Sequence, residues 1–163
     1  MTDPVVYTTV FDVAAAGYRE WIWTVFGLAF VAVAVVVVLR DLRRHPERTR
    51  LRRALVWLLP VLPAVWTVAI TAKTYSDYAR LSGALESGAV VWVEGTVQNF
   101  VPMPAIGHAV EQFEVAGQKF EYSDFIVTGG FNHTANRGGP IRAGLPVRIA
   151  HVGGIIVRLQ IAR

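Results

Sequence analysis

The chain has 163 residues and contains no cysteine, so neither disulfide bonds nor thiol chemistry contribute to it. It also lacks common catalytic and nucleotide-binding patterns: there is no GK[ST] phosphate loop, no G-x-S-x-G and no H-E-x-x-H. Charge is missing from two stretches of 19 residues, 21–39 and 54–72. Because ion and proton paths through a membrane usually need an ionisable group, this last absence argues against a transporter.

The two uncharged stretches are the main positive feature of the sequence. The chain is 53% hydrophobic, with a mean hydropathy of +0.41. Each stretch would be about 28 Å long as a helix, close to the hydrocarbon thickness of a bilayer. We therefore predict an α+β membrane protein with two transmembrane helices and the lipid bilayer as a partner.

Positive charge is concentrated between these stretches, where seven arginines face two acidic residues. The arginines are Arg40, Arg43, Arg44, Arg48, Arg50, Arg52 and Arg53. The positive-inside rule then predicts a hairpin of residues 21–72 in the bacterial cytoplasmic (inner) membrane, with a cytoplasmic loop at 40–53 that meets anionic headgroups. Both termini, including a tail of residues 1–20, would lie on the exterior (periplasmic) side.

Two further conclusions follow from where the charges lie. The basic residues follow the first apolar stretch rather than precede it, so we do not expect a cleaved signal peptide. From residue 73 onward eight Lys or Arg face seven Asp or Glu, so the C-terminal region is nearly neutral. The arginine loop also lacks aromatic platforms, and we expect no nucleic-acid partner.

The C-terminal half changes from a helical to a strand pattern. Residues 73–88 predict a helical stalk with an apolar stripe of Tyr75, Tyr78, Leu81 and Leu85 that packs on the following domain or on the membrane surface. Residues 89–163 predict an exterior domain, a five-stranded OB-like small β-barrel. Its strands are expected at 89–100, 109–115, 119–127, 145–152 and 155–162, with a sharp bend at Gly95.

Several segments together carry a family resemblance. They are VEGTVQNFVPMP, GH, EQFEVAGQKFEYSD, GFNHT and GGPI. In these segments the chain resembles a family of bacterial two-helix membrane proteins with a small exterior β-domain. The resemblance covers roughly residues 71–161, and it implies architecture without supplying catalytic residues.

Two connectors hold the candidate functional residues. The first, 99–108, is apolar and stiffened by prolines, and it offers Phe100 and Met103 as a partner surface or as core packing. The second connector, 128–144, lies between the third and the fourth predicted strand. With the end of the third strand it supplies donors, acceptors and charges for an anionic or sugar-like ligand. These candidates are Tyr122, Ser123, Asp124, Asn132, His133, Arg137 and Arg142.

The second connector has an equally concrete structural interpretation. Its glycines permit turns, its asparagines bond to nearby backbone, and Asp124 is suited to cap a turn. Two chemical alternatives stay open. One is a metal site drawn from His108, Glu111, Asp124, His133 and His151, with Asp124, His108 and His133 as its first candidates. The other is a hydrolytic triad built on Ser123.

The sequence favours a non-enzymatic, membrane-anchored module over both chemical alternatives. We expect no cofactor, no resident metal and no catalytic residue. The exterior domain would bind a protein, a glycan or a membrane partner, and a homo-oligomer is also open. The alternatives are a small hydrolase or metal site in the exterior domain, and a structural or assembly subunit that acts through its two membrane helices.

Overall fold

A computed structural model describes residues 6–47, 49–104 and 109–162 of the chain. It is an α+β structure with two long apolar helices and seven strands in two sheets. The chain divides into two compact units. The β-unit comprises Met1–Tyr18 with Ser76–Arg163, and the helical unit comprises Arg19–Tyr75.

The helices of the chain begin close to where the sequence places them. A single turn, α1, spans Val13–Ala16, and the long α2 spans Trp21–Arg44. After the arginine-rich turn, α3 spans Arg50–Val56 and α4 spans Leu58–Glu86. The hydroxyl of Thr49 caps α3 by accepting from the Arg52 amide at 3.4 Å. Arg48 of the predicted loop lies outside the described residues.

Within the described residues, two helical segments are long and apolar enough to cross a membrane, Val13–Arg44 and Arg50–Glu86. Only 11% of the most apolar window of each segment is buried. Side chains such as Leu62 and Val68 are about 70% exposed. The helices therefore do not bury their apolar surface in the way that a core helix of a soluble domain does.

Small and hydroxylated side chains hold α2 against α4 in the helical unit. The hydroxyls of Thr24 and Thr71 are hydrogen-bonded at 2.7 Å. A Cβ at Gly27 would lie 2.8 Å from Cγ2 of Thr67, so only glycine permits this approach. The Thr67 hydroxyl donates to the Pro63 carbonyl at 2.6 Å. This hydrogen bond satisfies a polar group that would otherwise be unpaired on an apolar helix surface.

The β-unit contains two antiparallel sheets. The strands span Tyr7–Asp12 (β1), Val91–Thr96 (β2), Gln98–Val101 (β3), Glu111–Val115 (β4), Gln118–Tyr122 (β5), Pro146–Val152 (β6) and Ile155–Ala162 (β7). The first sheet has the order β1-β7-β6-β2, and the second has the order β3-β4-β5. Alternating side chains of these strands form one core, in which Phe113, Phe120, Ile149 and Leu159 are fully buried.

The predicted five-stranded barrel is wrong in two respects, because the described residues form seven strands and their two sheets do not close into a barrel. The predicted first strand is divided: β2 pairs with β6, whereas β3 pairs with β4. The break falls at Val97, whose amide donates to the Leu145 carbonyl at 2.9 Å. Gly95 is not the break, because it stays paired with Val147 inside β2.

The additional strand comes from the N-terminal segment, which the sequence analysis treated as a tail. Strand β1 pairs antiparallel with β7. Asp12, at the end of β1, accepts from Arg158 at 2.6 Å and from the Ala14 amide at 2.9 Å. Burial favours a raised pKa for Asp12, but the backbone amides and Arg158 outweigh it, and the net pKa is lowered. The charged carboxylate thus attaches the N-terminal segment to β7.

The end of α4 belongs to the β-unit and packs into its core. Leu81 and Leu85 are buried in the same cluster as the sheet residues, and Tyr78 packs against this cluster. The ring of Tyr18 lies 6.0 Å from that of Tyr78. Three members of the predicted apolar stripe, Tyr78, Leu81 and Leu85, therefore pack in the domain core.

The contact of Gly27 with Thr67 predicts that a larger side chain will separate the two helices. In a chain with Thr24→Cys and Thr71→Cys, oxidation should form a disulfide readily, because the native hydroxyls are within hydrogen-bond distance. Adding Gly27→Leu should slow this cross-linking about tenfold, since overpacking costs on the order of 1–3 kcal/mol. Gel mobility measures the rate. Gly83→Leu is the matched control, because nothing lies within 4 Å of the Cβ position at Gly83. Equal rates in both variants would contradict the packing.

Candidate functional site

The centre of the candidate site is the side chain of Glu111, the first residue of β4. It is fully buried and lies on the same inward face as Phe113 and Val115. Its carboxyl group accepts from the Tyr122 hydroxyl and, at 3.0 Å, from the Ala135 amide. It also accepts a hydrogen bond from the Met103 amide at 3.4 Å. One side chain therefore joins the first connector, the second connector and strand β5.

Tyr122 contributes a neutral hydroxyl to this cluster. Burial raises the pKa of Tyr122 far above its ordinary value, and the hydrogen bond to Glu111 raises it further. The phenol therefore stays protonated and serves as a hydrogen-bond donor. Its ring packs edge-on against Phe113 and Phe131, with centroids 6.0 and 5.2 Å away. This candidate ligand-binding residue is part of the core.

Asp124 organises the second connector from the other side. Its side chain is 10% exposed and accepts from both the amide and the hydroxyl of Thr134, the amide at 3.2 Å. His133 Nδ1 and Arg137 Nε each lie 3.8 Å from its carboxyl oxygens. The carboxyl group of Asp124 is thus bonded to Thr134, ten residues further along the chain, and is occupied by the connector itself.

The GGPI segment follows a single 3₁₀ turn at Ala135–Arg137, and its shape depends on glycine. Gly138 has φ +88°, a left-handed conformation that favours glycine. A Cβ at Gly139 would lie 2.7 Å from the Thr134 carbonyl oxygen, so no side chain fits there. The side chain of Asn136 donates to the Met103 carbonyl and joins the two connectors a second time.

Most of the remaining predicted site residues also bond within the connectors. Ser123 is buried, donates to the Met103 sulfur at 3.5 Å and accepts from the Phe125 amide at 3.3 Å. Arg142 donates to the Gly139 carbonyl at 2.5 Å and to the Ile141 carbonyl at 2.6 Å. Met103 is itself buried, and Phe100 is half-buried against the core.

The outward face of the second connector and of the segment just before it is formed by a different set of residues. The side chains of His133 and Arg137 are 54% and 59% exposed. The Arg137 guanidinium lies over the ring of Phe125 at 5.5 Å. We define the connector surface as Phe125, Ile126, Asn132, His133 and Arg137. Of the predicted site residues, only Asn132, His133 and Arg137 belong to it.

Three residues of the site were not predicted in these roles from the sequence: Glu111, Phe125 and Ile126. Glu111 was considered only as a metal ligand, although its place in the alternation of EQFEV puts it on the inward face with Phe113 and Val115. Phe125 and Ile126 were assigned to a strand, whereas β5 ends at Tyr122. The dipeptide Ser123-Asp124 supplied the signal for this end, since both residues favour turns.

The two chemical alternatives receive no support from this geometry. Among the described residues, no group of three His, Asp or Glu side chains is placed to hold a metal. Asp124 and His133 come near each other at 3.8 Å, but Glu111 is enclosed in the core and His108 lies outside the described residues. The described hydrogen bonds of Ser123 involve no histidine, so the arrangement of a nucleophile and its base is not present there.

Comparison with known proteins does not identify a family for this chain. No protein-family model, no curated protein and no solved structure matches the chain. Any functional conclusion must therefore come from the residues themselves.

His151 on β6 is another buried polar side chain, and it packs in the core rather than in the connectors. Its Nδ1 accepts from the Gly154 amide at 3.2 Å, and its ring packs edge-on against Phe120 at 5.3 Å. Within the described part of the chain, its buried Nε2 has no hydrogen-bond partner. Burial lowers the pKa of His151 below its ordinary value. The imidazole is therefore neutral at pH 7 in the folded protein.

Because Glu111 accepts hydrogen bonds from three segments, we expect a large loss of stability when its carboxyl group is removed. Glu111→Ala leaves Tyr122 and the amides of Met103 and Ala135 without an acceptor in the core. The free energy of unfolding should fall by about 3–5 kcal/mol. Amide hydrogen exchange of β4 and β5, measured by mass spectrometry on the full chain in detergent micelles, reports this loss.

The matched control for that measurement is Glu114→Ala on the same strand. Glu114 accepts from Asn99 at 3.0 Å in an exposed pair, so its removal should cost less than about 1 kcal/mol. Similar exchange rates in the Glu111 and Glu114 variants would refute the central role of Glu111.

Because His151 is buried with a lowered pKa, we expect the free energy of unfolding to fall on acidification. With a folded pKa below the unfolded one, the unfolded chain takes up a proton that the folded chain does not, so stability falls as the pH drops below about 6.5. The contribution of one such group is at most about 1.4 kcal/mol per pH unit. His151→Gln should reduce the slope of the unfolding free energy between pH 7 and 5. The same slope in wild type and His151→Gln would disprove this origin.

Proposed function

We propose that this chain is a membrane-anchored, non-enzymatic module whose exterior β-unit binds a partner through the connector surface. The observation that carries the anchor is the exposure of two apolar helices that are long enough to cross a bilayer. Outside a membrane, such a surface would be a severe aggregation hazard. A bilayer covers it without any further protein contact.

The orientation of the module follows from its arginines. Six described arginines flank or occupy the turn between α2 and α4, namely Arg40, Arg43, Arg44, Arg50, Arg52 and Arg53. We place this turn on the cytoplasmic side of the bacterial inner membrane, in contact with anionic headgroups. Both termini and the β-unit then lie on the exterior, periplasmic side.

The non-enzymatic assignment rests on how the polar groups of the connectors are used. Glu111, Asp124 and Ser123 already have donors or acceptors within the fold. An enzyme needs reactive groups that face a substrate, whereas these groups fix the shape of a loop. The exposed Arg137 and His133 on that rigid loop suit recognition of a protein, a glycan or a membrane surface.

The alternatives have less support. A small hydrolase or metal site would need the groups that the fold has already bonded internally. A structural or assembly subunit acting through its helices would share the apolar helix surface with the anchor, but it would leave the rigid connector surface without a use.

Photo-cross-linking in intact membranes tests the proposal. A photoreactive residue at position 133 should give a discrete adduct with protein, glycan or lipid that is identified by mass spectrometry. The same residue at position 119, an exposed site on β5, is the control and should give none. The chain should remain in the membrane after an alkaline wash. Its release by that wash would contradict the anchor, and identical adduct patterns at 133 and 119 would contradict the binding surface.

A further inference from the structure

The outward face of the first sheet carries polar side chains around one large aromatic ring. Strand β2 presents Trp92 and Glu94 on the side opposite to Val93, which packs against the core. Arg148 lies directly opposite Glu94 on β6, and Gln160 lies opposite Arg148 on β7. Trp92 is 40% exposed, and the side chains of Arg148 and Glu94 are 45% and 57% exposed. We define the outer sheet face as Tyr7, Thr9, Trp92, Glu94, Arg148 and Gln160.

Contacts among these side chains hold them in place without a ligand. The Arg148 guanidinium lies over the Trp92 ring at 4.7 Å, and its Nε is 3.7 Å from one Glu94 carboxyl oxygen. The Tyr7 hydroxyl donates to the other Glu94 oxygen at 3.0 Å. Side chains fixed in this way lose little conformational entropy when a ligand binds. This distinguishes the outer sheet face from a surface of independent, solvated side chains.

The polar groups form one row across all four strands. In the order of the strand pairing, the row consists of Glu94, Arg148, Gln160 and Thr9. The Gln160 side-chain amide donates to the Thr9 hydroxyl at 3.1 Å. Neighbouring strands are about 4.8 Å apart, so the row is about 14 Å long. Because a carboxylate has about four acceptor sites and a guanidinium has five donors, Glu94 and Arg148 retain capacity for a ligand.

The charges of this side of the sheet are balanced, which selects the class of ligand. Glu94 is paired with Arg148, and in the next row Asp12 is paired with Arg158 at 2.5 Å. A surface without excess positive charge gives no strong attraction for phosphate groups or nucleic acid. The core of a protein–protein interface is depleted in charged residues, whereas here charges surround the single indole. A neutral ligand that combines an apolar face with many hydroxyl groups fits both features.

A sugar ring has this chemistry. The C–H groups on one side of a pyranose form an apolar face that packs on an indole, whose π face is electron-rich. Trp92 stays 40% exposed with the guanidinium of Arg148 over it, so ring surface remains for such a contact. Sugar hydroxyl groups both donate and accept, and they match carboxylate, guanidinium and amide groups placed side by side. A row of about 14 Å is longer than one sugar ring and therefore suits an oligosaccharide.

We propose that the outer sheet face binds a neutral oligosaccharide. Trp92 stacks on a sugar ring, and Glu94, Arg148 and Gln160 form hydrogen bonds with its hydroxyl groups. This site shares no residue with the connector surface and does not depend on the membrane anchor. It gives the β-unit a second binding site, with a defined class of ligand.

Fluorine NMR of the full chain labelled with 5-fluorotryptophan tests the site. Trp92 is the one tryptophan in the sequence of the β-unit, and the other four belong to the helical unit, namely Trp21, Trp23, Trp57 and Trp66. The variant Trp92→Phe assigns the Trp92 resonance. The chain is kept in dodecylphosphocholine micelles, because a sugar-based detergent would compete for the site. The probes are cellotetraose, maltotetraose and N-acetylchitotetraose. We expect at least one of them to shift the Trp92 resonance saturably while the other resonances stay in place.

Two glutamates provide a matched pair of variants. Glu94→Gln removes the charge-assisted hydrogen bonds of the row, so the Kd for the oligosaccharide should rise about tenfold. Glu121→Gln removes an exposed carboxylate that is paired with Lys119 at 2.7 Å on the second sheet, and the Kd should not change. Thermal unfolding close to that of the wild type shows that both variants retain the fold.

The other results of this experiment overturn the assignment. No saturable shift with any probe would mean that the outer sheet face is a solvated polar surface. A shift shared by all five tryptophans would mean that the effect is not specific to the β-unit. An equal effect of the two glutamate variants would place the sugar elsewhere. A stronger response of Trp92 to inorganic phosphate than to the oligosaccharides would mean that the face binds anions. None of these results bears on the membrane anchor or on cross-linking from position 133.

Discussion

The buried carboxyl group of Glu111 is the interaction on which the connectors depend. A carboxyl group enclosed in a core is costly unless donors surround it, and here the donors come from three separate segments of the chain. The cost of burying Glu111 is offset only when Met103, Tyr122 and Ala135 are all in place. The two connectors therefore become ordered together, and their ordered backbone holds the outward-facing side chains in position.

The local alternation of apolar side chains located most strands, but it did not determine how they pair. Strands β4 to β7 lie within a few residues of their predicted positions, because a half-buried strand shows its period of two directly. Strand β1 was missed because its partner, β7, lies about 150 residues further along the chain. The break at Val97 was missed for a related reason, since it is set by a hydrogen bond to Leu145 in another part of the unit.

The candidate site shows a similar limit. The run YSDFIVTGGFNHTANRGGPI contains both reactive and turn-forming residue types, and composition alone does not say which polar groups already have partners. The tertiary contacts decide this: Asp124 bonds to Thr134, and Arg142 bonds to the carbonyls of Gly139 and Ile141. The left-handed Gly138 and the tightly packed Gly139 were foreseeable in type but not in position.

When the polar groups of a loop are hydrogen-bonded within the fold, the exposed surface of that loop consists of its remaining side chains. Here the remaining exposed side chains are Phe125, Ile126 and Val127 together with His133 and Arg137. This combination is poorly suited to positioning a reacting polar substrate, which needs convergent polar groups in a concave pocket. The internal hydrogen bonding of the connectors and the chemistry of their exposed face thus have one cause.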